Sequence, residues 1–198
     1  MPLRAPISYH LELYRYWLDM RCGRVMPARR DIDPAAIRTL LPYLAMIDKV
    51  GGGLRYRLVG TEVAQQIGRD LTGKPVGFYL NHPQILVKLR ALYERVFATA
   101  HPFFATAEYR TTRGSLHHIS QLMLPLSDDG FNANMIIFAR VARFNARQST
   151  DWLKGATVRI CDVVQVDDAK DIETRCLDWE RYCDDQRRRP EGIAQRPQ

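Results

Sequence analysis

Two adjacent histidines, His117 and His118, are the residues best suited to chemistry. They lie in a run of strand-forming residues. Neighbouring side chains of a strand point to opposite faces, so the two imidazoles cannot chelate one metal ion. If His118 faces the helical side with Ser120 and Leu122, it could orient a ligand in a largely apolar cavity. The opposite parity offers instead His117, Ile119, Gln121 and Met123. A surface or hydrogen-bonded structural histidine is the alternative to both arrangements.

The local patterns of known catalytic sites do not occur in the sequence. Gly-x-Ser-x-Gly, His-Glu-x-x-His and the complete phosphate-binding pattern Gly-x-x-x-x-Gly-Lys-Ser/Thr are absent, and the three glycines at 51–53 indicate a hairpin turn. The four cysteines have neither Cys-x-x-Cys spacing nor nearby histidines, which argues against a zinc site and a disulfide scaffold. They are Cys22, Cys161, Cys176 and Cys183. We therefore expect a non-catalytic protein with reduced thiols and without a bound metal.

Composition excludes several other classes of protein. The 198 residues are 46% hydrophobic and 26% charged, which is typical of a globular chain and excludes a histone-like tail or a disordered activator. No apolar run reaches the length of about 18 residues that a membrane span needs, and the N-terminus lacks the apolar core of a secretion signal. We expect a cytoplasmic protein that does not span a membrane.

Basic residues give the chain a net charge of +7 and cluster near both ends. The clusters are Arg21, Arg24, Arg29, Arg30 and Arg38, and Arg187 to Arg189. Carboxylates interleave with them and no helix-turn-helix, zinc-finger or stacking motif accompanies them, so solvated arginine-rich faces are favoured over nucleic-acid binding. A nucleic-acid-associated regulator is kept as a second alternative function.

A helical leader is predicted over residues 1–42. An amphipathic helix begins at Ser8 and ends before Gly23, and Asp33 with Pro34 predicts a second short helix that runs to Leu41. The apolar face of the first helix must pack against something. It consists of Leu11, Tyr14, Trp17 and Leu18.

Residues 43–143 alternate between strand and helix patterns. Two strand-like runs form a hairpin with one buried and one solvated face, two helices follow, and three more strand-like runs have hairpin-length links. The runs cover residues 44–50, 54–58, 61–67, 83–100, 103–111, 116–126 and 131–141. This order predicts an α+β domain, in which an antiparallel sheet of about five strands has its helices on one face.

Residues 144–198 form a C-terminal extension with a weaker pattern. Residues 158–166 are compatible with a further short strand, and the last residues are expected to be frayed. A helix follows that strand, with apolar residues spaced four, three and four apart. They are Ile172, Cys176, Trp179 and Cys183. This helix either packs on its own domain or forms a dimer.

Several segments of the chain resemble the PAS domain family. Residues 55–76, with their Gly73-Lys74 signature, resemble its first half, and residues 108–115, 124–126 and 128–130 resemble its glycine-anchored final hairpins. The leader, with Trp17, Gly23, Pro27 and Asp33-Pro34, is similar to that of short bacterial PAS proteins. The resemblance covers residues 9–143 and agrees with the fold that periodicity predicts.

The resemblance implies a sheet that cups a small cavity against the helices. The candidate lining residues are Tyr56, Leu58, Phe78, Tyr109, His118, Leu122, Leu124, Met135 and Ile137. Some PAS domains bind haem, for which His82 is the candidate ligand here, although a polar helix boundary explains it equally well. A flavin adduct of the cysteine type is disfavoured, because no cysteine lies between Cys22 and Cys161. No cofactor is predicted.

The resemblance also implies sensing and protein pairing. The segment of about 55 residues after Arg143 is too short for an output domain, so output is expected through a partner or self-association. The sequence therefore predicts a non-catalytic sensory or adaptor protein that forms a homodimer or binds a signalling partner, gated by a small apolar ligand. A small-molecule or haem sensor is the first alternative.

Overall fold

The computed structural model describes residues 6–78, 83–110, 116–144 and 157–188. Four helices and six strands follow one another in these segments, with short 3-10 turns at Arg29–Asp31 and Leu41–Tyr43. In chain order they are α1 (Pro6–Arg21), β1 (Leu44–Val50), β2 (Gly53–Val59), α2 (Thr61–Ile67), α3 (Pro83–Thr99), β3 (Phe103–Arg110), β4 (Leu116–Ser127), β5 (Ala133–Phe144), β6 (Thr157–Gln165) and α4 (Ala169–Arg188).

All six strands form one antiparallel sheet with the order β2-β1-β5-β4-β3-β6. The α+β class is confirmed, and the sixth strand exceeds the predicted number of about five. The extra strand is β6, which pairs with β3 from Phe103↔Gln165 to Arg110↔Thr157 and forms the edge of the sheet. The C-terminal extension therefore contributes directly to the sheet.

The sheet is packed on both faces. Helices α2 and α3 cover what we call the inner face, and the leader with α1 and α4 covers the outer face. The inner core includes Tyr56, Val63, Tyr93, Met123, Ile136 and Phe138. The outer core includes Trp17, Leu122, Leu124, Ile137, Ile172 and Cys176. The helices thus lie on both sides of the sheet, with the two flanking helices together on the outer side.

Strand β1 corrects the prediction that the first hairpin has one solvated face. The first five residues of β1 are all buried. Leu44 and Met46 belong to the outer core. Ala45 and Ile47 belong to the inner core. The second face is covered because the leader packs against it, a long-range contact that local alternation does not encode.

The short helix predicted from Asp33 to Leu41 is also corrected. Residues 34–40 form successive turns instead, in which the Ile37 carbonyl accepts hydrogen bonds from the amides of both Leu40 and Leu41. A segment this short makes too few helical hydrogen bonds to repay the cost of nucleation, so packing of buried Ile37 and Leu40 decides its shape.

Among the described residues, no helix combines the length and apolar character that crossing a membrane requires.

Candidate functional site

A small cavity, which we call the inner cavity, lies between α3 and the inner face of the sheet. Its volume is about 40 Å³. The apolar part of its wall includes Ile85, Leu89, Leu92, Ile119, Val158 and Ile160. A volume of this size holds only a few water molecules, since one water needs roughly 10–15 Å³ on the same measure.

Polar side chains from α3, β3, β4 and β5 also line the inner cavity. Tyr93 of α3 accepts a hydrogen bond from Gln121 Nε2 of β4 at 3.3 Å. Arg140 of β5 is only 6% exposed, and its guanidinium lies 5.8 Å from the centre of the Tyr109 ring. The electron-rich ring face stabilises this buried cation, which gives the cavity a positive end. The arrangement suits a ligand with an apolar body and a hydrogen-bonding or anionic group.

A second cavity, which we call the α4 cleft, lies on the outer face between α4 and strands β3 and β6, with a volume of about 290 Å³. Glu108 is its centre. The hydroxyl of Tyr182 donates a hydrogen bond to Glu108 Oε1. His118 Nδ1 lies 3.8 Å from the same oxygen, and Arg159 Nε lies 3.5 Å from Oε2. The cluster ties α4 to three strands of the sheet.

Burial and charge set the protonation of two groups in the α4 cleft. Burial, followed by the hydrogen bond to Glu108, raises the pKa of Tyr182 to about 12. Burial also raises the pKa of Cys161, which therefore remains a thiol near neutral pH. The thiolate is the reactive form of cysteine, so Cys161 is not an activated nucleophile. Within the described ranges, no group of three His, Cys, Asp or Glu residues could hold a metal ion.

Comparisons with known proteins identify the family of this chain. A family model described as PAS domain matches residues 7–137, from the first helix into β5. The chain belongs to the PAS domain family. Among solved structures, it is similar to one described as "Flavin Analogue Sheds Light on Light-Oxygen-Voltage Domain Mechanism", at 16% identity and a TM-score of 0.42, over 61% of this chain and 87% of that chain. No curated protein matches the sequence.

The nine predicted cavity residues of this PAS domain do not line a single cavity. Tyr109 lines the inner cavity and Tyr56 lies in the inner core. His118 lines the α4 cleft, and Leu58 and Phe78 are 41% and 56% exposed. The remaining four belong to the outer core, and they are Leu122, Leu124, Met135 and Ile137. The strand residues therefore divide between two faces, because both faces of the sheet are apolar.

The polar part of the inner cavity includes a β4 residue that faces away from the side on which His118 lies. Gln121 follows the parity that the sequence offered as the alternative to His118. Arg140 and Tyr93 were not predicted to line a cavity. A signal for Arg140 does exist, since it is a charged residue directly after a run of five apolar residues in β5, but a solvated face predicts a charged residue there as well.

The predicted interface residues of this PAS domain lie within its own core. Six are buried, and Leu11 and Leu18 are half-buried against them. The six are Tyr14, Trp17, Ile172, Cys176, Trp179 and Cys183. Burial raises the pKa of the Cys176 thiol to about 12. The seam therefore joins α1, α4 and the outer face within one chain, as the packing alternative predicted.

The remaining candidates from the sequence are His82 and the clustered arginines. His82, the candidate haem ligand, and the side chains of Arg187 to Arg189 lie outside the described residues. In the leader, Arg24 is bound to Asp31, and Arg21 lies over the Trp17 ring at 5.6 Å.

Residues 68–74 have part of a phosphate-binding pattern, Gly-x-x-x-x-Gly-Lys, but Pro75 stands where a phosphate-binding loop has Ser or Thr. Gly68 ends α2 in a left-handed conformation at φ 84°. The amide of Gly73 donates to the Tyr56 carbonyl, and that of Lys74 donates to the Leu71 carbonyl. These amides are used within the fold, so this segment does not form a phosphate cradle.

Replacing Glu108 by glutamine is expected to lower the free energy of unfolding by about 1–2 kcal/mol, because hydrogen bonds to a charged group are worth more than neutral ones. Urea unfolding measures the change. The matched control is Glu173→Gln, since the Glu173 side chain is half-exposed and lies 3.8 Å from Arg15. An exposed pair of this kind contributes only a few tenths of a kcal/mol. Equal changes in the two variants would contradict a stabilising role for the α4 cleft.

Proposed function

We propose that this PAS domain is a non-catalytic sensory or adaptor module of signalling. A small ligand in the inner cavity changes how α1 and α4 pack on the outer face, and the changed surface binds a second copy or a signalling partner. The family supports the general role, because PAS domains are a sensor fold of signalling. The proposal for this chain depends on the path from the inner cavity to the flanking helices.

The observation that carries the proposal is that one strand, β4, contacts both the inner cavity and the flanking helices α1 and α4. Gln121 lines the inner cavity on one face of β4. The preceding residue, Ser120, points to the other face, where its Oγ is hydrogen-bonded to His10 Nε2 of α1 at 2.9 Å. The following residue, Leu122, is fully buried in the core that α1 and α4 share. A shift of β4 at Gln121 therefore reaches both flanking helices through adjacent residues.

The size of the inner cavity explains why a ligand would move the sheet. At about 40 Å³ it is too small for an organic molecule in the described conformation. Binding therefore requires α3 or the strands to move apart. Because packed interiors transmit strain, this movement favours another arrangement of α1 and α4. The ligand shifts the population by as much as its affinities for the two arrangements differ.

Native mass spectrometry of the freshly purified full chain, compared with its denatured mass, tests the ligand part of this proposal. A retained small molecule would support ligand gating, and its mass would identify the compound class. The same spectrum reports whether the chain is a monomer or a dimer. A bare monomer that a screen of small carboxylates and amides leaves unchanged would contradict ligand gating.

The variant Ala105→Leu tests coupling without a known ligand, because buried Ala105 lines the inner cavity and a larger side chain fills it. Overfilling a packed site costs about 1–3 kcal/mol. We expect faster hydrogen exchange in α1 and α4 and altered fluorescence of Trp17 and Trp179 in a Trp152→Phe background. Ala98→Leu, on the exposed side of α3, is the matched control. If the flanking helices respond no more to Ala105→Leu than to the control, the coupling is absent.

A further inference from the structure

A third cavity, which we call the leader cavity, lies on the outer face between the turns of the leader, the start of β1 and the end of β2. Its volume is about 360 Å³, within the range of small-molecule sites in proteins. Aliphatic side chains from both the leader and the sheet form its wall. They include Ile32, Ile37, Leu41, Met46, Leu58 and Ile137. No aromatic ring is among its described lining residues, so the cavity suits a flexible aliphatic body.

Two arginines, Arg29 and Arg38, also line the leader cavity. Within the segments that the structure describes, neither guanidinium forms an ion pair, and the buried Nε of Arg29 has no hydrogen-bond partner. Asp31, which lies on the same turn as Arg29, is bound to Arg24 instead. The leader cavity therefore combines an aliphatic wall with two arginines that have no ion-pair partner among the described residues.

The leader cavity is a built feature of the fold because the leader passes close to the end of β2 at Gly60. The amide of Gly60 donates to the Leu44 carbonyl at 2.8 Å. A Cβ atom at Gly60 would lie 2.1 Å from the Leu41 carbonyl oxygen and 2.4 Å from that of Pro42. Only glycine permits this approach, which fixes the wall that carries Leu41 opposite β1 and β2.

We propose that the leader cavity binds a free aliphatic carboxylate, such as a medium-chain fatty acid. The chain packs among the aliphatic residues, where burial of apolar surface stabilises it. The carboxylate binds Arg29 and Arg38, whose planar guanidinium groups match its geometry. This site lies on the opposite face of the sheet from the inner cavity, so it is separate from the proposed sensory site.

Isothermal titration calorimetry with decanoate, below its micelle-forming concentration, tests the assignment on the full chain. We expect binding of one decanoate per chain, weakened about tenfold or more by the double variant Arg29→Gln/Arg38→Gln. The matched control is Arg30→Gln, because Arg30 is exposed on the same turn and does not line the cavity. Decanol, which has the same chain and no charge, is expected to bind at least about tenfold more weakly than decanoate.

A second variant keeps the test decisive if the double variant fails to fold. Leu58→Asp places a carboxylate at a half-exposed wall position and should abolish decanoate binding while the circular dichroism spectrum is retained. The proposal is overturned if wild type does not bind decanoate, if decanol binds as tightly, or if the arginine variants bind like wild type. Binding only to phosphatidylglycerol vesicles would assign the surface to a membrane instead. Each result is independent of Ala105→Leu and so of the sensory proposal.

Discussion

Replacing Trp17 by alanine is expected to lower the free energy of unfolding by about 4 kcal/mol, the middle of the range for a fully buried aromatic side chain. Trp17 is 2% exposed at the centre of the outer core. Its ring is nearly parallel to that of Tyr14, with the ring centres 6.2 Å apart, and its Nε1 donates to the Pro125 carbonyl at 2.8 Å. The variant therefore loses packing and leaves a buried carbonyl without its donor.

Urea unfolding monitored by circular dichroism measures this loss, and two variants separate its causes. Trp17→Phe keeps most of the packing and removes the hydrogen bond, so we expect it to cost about 1–2 kcal/mol. Leu177→Ala lies on α4 but is 44% exposed, and it should cost less than about 1 kcal/mol. If Trp17→Ala cost no more than Leu177→Ala, α1 would not be part of the cooperative core, and transmission through α1 would fail with it.

Local sequence patterns predicted most elements of this PAS domain because their signals are local. Gly68 ends α2 where the glycine predicted, and Pro83 begins α3. The turn after Val50 joins β1 to β2 as the glycine triplet predicted. The strand order could not be predicted in the same way, because β1 pairs with β5 across the helices that separate them in sequence.

The candidate sites were harder to predict because apolar character does not distinguish the two faces of this sheet. In β4, Leu122 faces the outer core and Met123 the inner core, and both are fully buried. A strand buried on both sides shows no alternation of polarity, so its sequence does not show which residues face which side of the sheet. Polar residues within the strand indicate which face each residue lies on, and in β4 they include His118 and Ser120 on the outer face and Gln121 on the inner face.

Acid is expected to destabilise the fold through His10, a buried residue of α1 that contacts Ser120 on the outer face. Burial lowers the pKa of His10 to about 3 from an unperturbed value near 6.5. The unfolded chain therefore binds a proton below about pH 6.5 that the folded chain does not bind until about pH 3, so stability falls as the pH falls through this window. Between pH 7 and pH 5, His10 alone should remove about 2 kcal/mol.

Urea unfolding of wild type and His10→Phe at pH 7 and pH 5 isolates this contribution. Phenylalanine can keep the perpendicular ring contact that His10 makes with Phe104 at 5.5 Å, but it does not titrate. The variant should therefore lose about 2 kcal/mol less than wild type on acidification, whatever its stability at pH 7. Burial also lowers the pKa of His117, so some acid sensitivity remains in the variant. His101→Gln, at an exposed histidine, is the matched control for the loss of a histidine side chain. Equal losses in wild type and His10→Phe would show that α1 opens to water at His10, and the Ser120 contact could not then transmit a shift of β4.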